Sequence, residues 1–143
     1  GEIKGLAEPA LVLTPPYKGT AQDDGLLTAS EVAQLKLDAD WVILSACNTA
    51  AGDAPGASGL SGLAKAFFYA GARALLVSHW PGFSKSTTDL TTSMFETIRN
   101  NPTIGRAEAL RRSMMEMASH RRTAHPIFWA PFVVVGEGGV ARP

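Results

Sequence analysis

The sequence predicts an α/β fold, a three-layer sandwich built around a mostly parallel sheet. Two continuous apolar runs of strand length, "WVILSA" at 41–46 and "RALLVS" at 73–78, flank a stretch of helical periodicity, the pattern of a parallel strand–helix–strand crossover. Two more helix-periodic segments follow, and then a last apolar run, "IFWAPFVVVGE" at 127–137. The 143 residues are 45% hydrophobic and 18% charged, enough to bury the core of one domain.

Taken in order, Ala10 to Thr14 reads as a short strand halted by Pro15 and Pro16, which lack the N–H that a ladder needs. A turn-rich stretch, "YKGTAQDDG", follows. Its Asp23 and Asp24 are turn formers first, with a pocket for a basic substrate side chain as the lesser alternative. "TASE" at 28–31 has the form of a capping box, with Thr28 as N-cap and Glu31 reaching back; Val32 and Leu35 continue the helix to near Leu37. "WVILSA" reads as a central parallel strand buried on both faces. Ser58 is placed to cap a helix with Leu60, Leu63, Ala64, Phe67 and Ala70 inward and Gly71 as its stop. After "RALLVS" and the breaking sequence "WPGFS", Ser84 is expected to cap a helix with Leu90, Met94, Phe95 and Ile98 inward, ending at Asn101 and Pro102. Thr103 is expected to cap a third helix with Ala107, Leu110, Met114 and Met117 inward. Pro131 puts an edge position or a bulge at the start of the final strand. So few strands leave both sheet edges bare, so more sheet is expected on the N-terminal side.

Charge and cysteine content narrow the function. Thirteen basic residues balance thirteen acidic ones, so no overall field favours nucleic acid or an anionic membrane as partner. No apolar run approaches a membrane span and no signal-like start is present; a cytoplasmic protein is expected. The single cysteine, Cys47, fits a reducing compartment and excludes a thiolate zinc site. There is no phosphate loop, paired-histidine metal motif or G-x-S-x-G elbow, and no cofactor or metal is expected. Arg106, Arg111 and Arg112 read as a solvated helix face. His120, with Arg121 and Arg122, reads as the complement of a helix C-terminus.

In open parallel sheets ligands bind beyond the carboxyl ends of the strands, and Cys47 and His79 both follow apolar strands at that edge. A cysteine there can attack through its thiolate while its own N–H faces a developing oxyanion. The competing reading is a small buried residue, the commoner fate of a lone cysteine. His79, beside Trp80, is likewise either a rim base or a hydrogen-bonded structural histidine.

"LSACNTAAGD", "LSGLAKAFFYAGARALLVSHWP", "EALRRSM" and "HPIFWAPFVVVGE", with "EPALVLTPP" and "DGLLTASEV" upstream, closely resemble the C-terminal portion of the CHAT domain, a caspase-like cysteine peptidase family of clan CD often fused to tetratricopeptide repeats. The resemblance runs through nearly all of residues 1–143. It implies a caspase-hemoglobinase-like fold with its N-terminal part missing, Cys47 as nucleophile of a Cys-His dyad, and Ser78, His79 and Trp80 lining the substrate groove. It places the general base in an "H-G" element at the end of the preceding strand, ahead of Gly1, so this chain alone is expected to be inactive. The implied partners are a protein or peptide substrate and upstream tetratricopeptide repeats of the same polypeptide. Where many relatives carry an apolar residue before "WP" and acidic residues after it, this chain has His79 and then Gly82, Phe83 and Ser84. The loop from Asn48 to Gly59 corresponds to the segment that rearranges or is cut in caspases, and its Gly, Ala, Pro and Asp content suits either such a gate or, equally, an ordinary surface loop. The alternative is a noncatalytic interaction module of the same type.

Overall fold

The computed structural model describes residues 8–20, 23–44 and 62–140. Its architecture is mixed α/β. The first sheet is a hairpin in which β1 (Ala10–Val12) runs antiparallel to β2 (Leu26–Thr28), with Ala10 opposite Thr28 and Val12 opposite Leu26. Leu13 N–H donates to Gly25 O (2.8 Å), carrying the pairing one residue past β1, and Pro15 and Pro16, which lack the N–H, follow. β2 lies within a stretch that reads as turn and cap. Asp24 Oδ1 accepts from Leu26 N–H (2.9 Å) and Gly25 takes φ +85°, a local bend that sets Leu26–Thr28 against β1.

Thr28 closes β2 and opens α1 (Ala29–Gln34). The capping box forms as the sequence predicts: Thr28 Oγ1 accepts from Glu31 N–H (3.3 Å), and Thr28 N–H donates to Glu31 Oε2 (2.8 Å). Val32 is fully buried, whereas Leu35 is an extended C-cap with an exposed side chain, so the helix ends short of Leu37.

The second sheet has the order β3–β4–β5, with β3 (Val42–Ile43), β4 (Ala74–Ser78) and β5 (Phe132–Gly136). β3 and β4 are parallel, with Val42 opposite Leu75 and Ile43 opposite Leu76; α2 (Gly62–Tyr69) lies between them in the chain. β5 is antiparallel to β4, so the sheet is mixed rather than mostly parallel among the described residues. The reason is a count of helices. α3 (Ser84–Asn100) carries the chain back from the carboxyl end of β4 and α4 (Arg106–Ser119) returns it, so the next strand must run the opposite way. β4, not "WVILSA", holds the central place here, and all five of its residues are buried.

Alternation along β4 divides the core. Leu75 and Val77 join Val32, Leu44 and the inner residues of α2, while Leu76 joins Leu90 and Met94 of α3 and Ala109, Leu110 and Met117 of α4. Each buried Leu or Val contributes about 1.5–3 kcal/mol against exposure. Leu63, Ala64, Phe67 and Ala70 face inward as expected; Ser58 and Leu60 lie outside the described residues. Gly71 stops α2 at φ +102°, and a Cβ there would lie 2.1 Å from Leu37 O. Leu37 N–H in turn donates to Ala70 O (2.7 Å), which ties the segment before β3 to the end of α2.

Several end and face assignments change. Phe83, not Ser84, is the N-cap of α3, and Gly105, not Thr103, that of α4; neither supplies a side-chain cap. Asn101 does end α3. Phe95 stays about half exposed, its ring edge-on to Trp41 at 5.3 Å. In α4 the inward stripe is Arg106, Ala109, Leu110, Ser113 and Met117, and Ala107 is exposed. The final strand starts at Phe132 because Pro126–Phe128 form a 3₁₀ turn, closed by Trp129 N–H donating to Pro126 O (3.1 Å) and capped by Ile127 N–H donating to His125 Nδ1 (3.2 Å). No helix among the described residues is long and apolar enough to cross a membrane.

Candidate functional site

The parallel pair β3–β4 sends both chains toward one rim of the sheet. Leu44 N–H donates to Leu76 O (2.8 Å), continuing the ladder one residue past β3. Cys47 follows three residues later in the sequence, outside the described residues, as does the Asn48–Gly59 loop.

On the neighbouring strand the three residues assigned to the groove separate by environment. Ser78 is the last residue of β4, opposite Phe132, and is only 2% exposed. His79 and Trp80 are both exposed, Trp80 by 40%. His79 N–H donates to Pro131 O (2.9 Å), which fastens the end of β4 to the segment entering β5 and leaves the imidazole at the surface. Gly82 sits where a Cβ would meet Thr87 Oγ1 at 2.8 Å and the Phe132 ring at 3.3 Å. A side chain there would push the "WPGF" turn off the sheet. Phe83 packs on Phe128 with ring centroids 5.2 Å apart, joining the turn after β4 to the 3₁₀ turn before β5. The rim beside His79 therefore carries aromatic surface on two chain segments.

The opposite end of β3 is held by charge. Asp40, two residues before β3, accepts from Arg73 Nη1 (2.6 Å) and lies 3.6 Å from Arg106 Nη2; Arg73 Nη2 also reaches Asp38 (3.1 Å). Arg106 is the residue that sequence reasoning misplaced. It is 3% exposed, donates to Glu137 O (3.1 Å), and sits 6.0 Å from the centre of the Trp41 ring. The signal was its place just after Gly105, whose lack of a side chain lets the Gly138–Gly139 backbone close on the start of α4. This cluster anchors the strand that leads to Cys47 and lies away from the rim, so its work is positional.

Arg111 and Arg112 do occupy a solvated face. Both hydrogen-bond Glu108, at 2.7 and 2.9 Å, and together they hold its carboxyl down at about 2. The same contact raises the Arg111 pKa. His120 is the C-cap of α4, as its helix-end reading expects.

A family model described as the CHAT domain matches residues 3–137. The chain belongs to the CHAT-domain family. Among curated proteins, it is 31% identical over 112 residues to tetratricopeptide repeat protein 28 of Mus musculus and 30% identical over 112 residues to the Homo sapiens protein of that name. Each match covers 78% of this chain and 4% of the relative, so the CHAT domain described here spans a small part of those proteins' length. No solved structure matches the chain.

Proposed function

We propose that this CHAT domain carries the nucleophile of a caspase-like cysteine endopeptidase, Cys47, whose general base is a histidine ahead of the nucleophile strand. The observation that supports the reading is the parallel, in-register pairing of β3 with β4, whose carboxyl ends, Leu44 on one strand and the exposed His79–Trp80 segment after the other, share one rim, with Cys47 three residues beyond Leu44 in sequence. The chain's three histidines, His79, His120 and His125, all follow Cys47 in sequence, whereas the family's base precedes its nucleophile.

In the proposed reaction the Cys47 thiolate attacks the scissile carbonyl carbon and the carbonyl oxygen takes the negative charge toward backbone N–H groups. The C–N bond breaks, the amine leaves with the proton that the histidine took from the thiol, and a thioester remains. Water then attacks the thioester and returns the thiol. Ser78, His79 and Trp80 line the groove that holds the peptide, and the three-layer caspase-hemoglobinase arrangement is part of this reading. The packing of α1–α2 and α3–α4 into separate clusters on the two faces of β4 supports it. The relatives' name, tetratricopeptide repeat protein 28, supports the pairing with tetratricopeptide repeats in one polypeptide, and a cytoplasmic setting is part of the proposal.

The test is peptide hydrolysis by the full-length parent protein. Cleavage is expected and is lost in Cys47→Ala. This chain by itself is expected to fall short by the base, about two to four orders of magnitude, and by an oxyanion donor, about two to three. Full-rate hydrolysis by residues 1–143, or an unaffected Cys47→Ala parent, sinks the proposal. Absence of cleavage by a parent that contains the "H-G" element favours the noncatalytic interaction module. The rim placement of His79 favours a second reading in which His79 is the base. That reading requires His79→Ala to slow iodoacetamide labelling of Cys47 near neutral pH, and an unchanged rate removes it.

A further inference from the structure

We propose that the groove between α3 and the end of α4 is a docking site for an acidic peptide segment bearing a large apolar side chain. It is independent of whether Cys47 reacts. The groove encloses about 410 Å³, within the roughly 300–1,000 Å³ of ligand-sized pockets. It is lined on one side by Asp89 and Ser93 of α3 and at its base by Met117 of α4, which is buried. Arg121, Arg122 and Thr123, in the turn after α4, close the other end.

The charges of the groove are divided by what they already hold. At the α3 side, Asp89 accepts from Lys85 Nζ (3.1 Å), and Glu116 Oε2 accepts from the Ser93 hydroxyl (2.8 Å). At the other end, Arg121 and Arg122 are exposed, and among the described residues nothing pairs or hydrogen-bonds with their guanidinium groups.

The usual task of cations there is to satisfy a helix C-terminus, and that task is taken. Met117 O accepts from His120 N–H (3.2 Å) and from Thr123 Oγ1 (2.7 Å), and Glu116 O accepts from Ser119 Oγ (2.7 Å). Two planar guanidinium forks, suited to carboxylates, are therefore left facing a cavity that has an apolar base. A peptide carboxylate belongs at the arginine end because Glu116 and Asp89 repel it from the other, and its apolar neighbour then lies over Met117. Because Asp89 already holds Lys85, the charge left to a ligand is that of two arginines against one glutamate, which favours an acidic ligand over a basic one.

The test uses the whole chain and fluorescence anisotropy with three labelled probes: Gly-Asp-Leu-Asp-Glu-Gly, the same peptide with Gly in place of Leu, and Gly-Lys-Leu-Lys-Lys-Gly. The acidic Leu probe is expected to bind saturably, at least fivefold tighter than its Gly counterpart, with no saturable binding of the Lys probe. R121E/R122E is expected to weaken the acidic probe at least tenfold while its far-UV circular dichroism is unchanged. The milder R121Q/R122Q, expected to lose about fivefold, keeps the test open if the reversal disturbs the fold. R111E alters charge on the same helix away from the groove and is expected to stay within twofold. The proposal is overturned if the acidic probe does not saturate, if the Lys probe binds as well, if the Leu and Gly probes bind alike, or if R111E weakens binding as much as the double variants.

Discussion

Gly71→Ala puts the packing ahead of the candidate nucleophile to a direct test. Gly71 has φ +102°, a conformation that costs an L-residue about 1–2 kcal/mol. The new Cβ would lie 2.1 Å from Leu37 O, far inside contact distance, so the Leu37 backbone must retreat by about an ångström. That retreat loosens the Leu37 N–H to Ala70 O hydrogen bond of 2.7 Å, which contributes about 0.5–1.5 kcal/mol. The sum is about 1.5–3.5 kcal/mol. For a chain of this size it lowers Tm by roughly 6–14 °C. Thermal unfolding followed by circular dichroism measures it, with Gly139→Ala as the control. Gly139 has ordinary φ and nothing within 4 Å of an added Cβ, so its substitution should leave Tm unchanged. A Gly71→Ala loss below about 3 °C, or an equal loss in the control, would refute the claim that this close approach fixes the entry to β3.

Thr28→Ala removes the side-chain half of the capping box and should cost about 1 kcal/mol in urea unfolding, with Glu31→Gln costing less because the amide oxygen still accepts from Thr28 N–H. Glu108 titrates at about 2 in the fold against 4.5 as its ordinary value, with the hydrogen bonds from Arg111 and then Arg112 as the main causes. Because the folded pKa is depressed, its contribution is present above about pH 4.5 and is lost as pH falls through about 2. Glu108→Gln should therefore flatten part of the acid limb of a stability-against-pH curve in that window, and an unchanged limb contradicts the pairing. The effect is small, since all three groups face solvent.

What could be read from the chain depended on how local the deciding physics is. The capping box at Thr28 and Glu31 uses four adjacent residues, and it forms as read. "RALLVS" is apolar enough for both faces, and its strand is buried throughout. By contrast, β2 has no hydrophobic pattern of its own: three residues become a strand because Asp24 and Gly25 bend the chain back onto β1. The direction of β5 follows from two helices preceding it, a tertiary fact that periodicity does not carry. Arg106 is charged, so its sequence points outward; three distant groups, Asp40, Trp41 and Glu137 O, bring it in. Of the candidate site, His79 and Trp80 are exposed just beyond the end of β4 and Ser78 is buried, while Cys47 lies outside the described residues, so the nucleophile and groove roles stand as proposals.

The decisive measurement is covalent trapping of the full-length parent protein with an electrophilic peptide library, read by mass spectrometry. An adduct on Cys47, absent from Cys47→Ala and weakened by loss of the upstream histidine but not by His79→Ala, is the predicted result. No adduct, or an adduct that survives Cys47→Ala, would contradict the assignment of this thiol as the nucleophile.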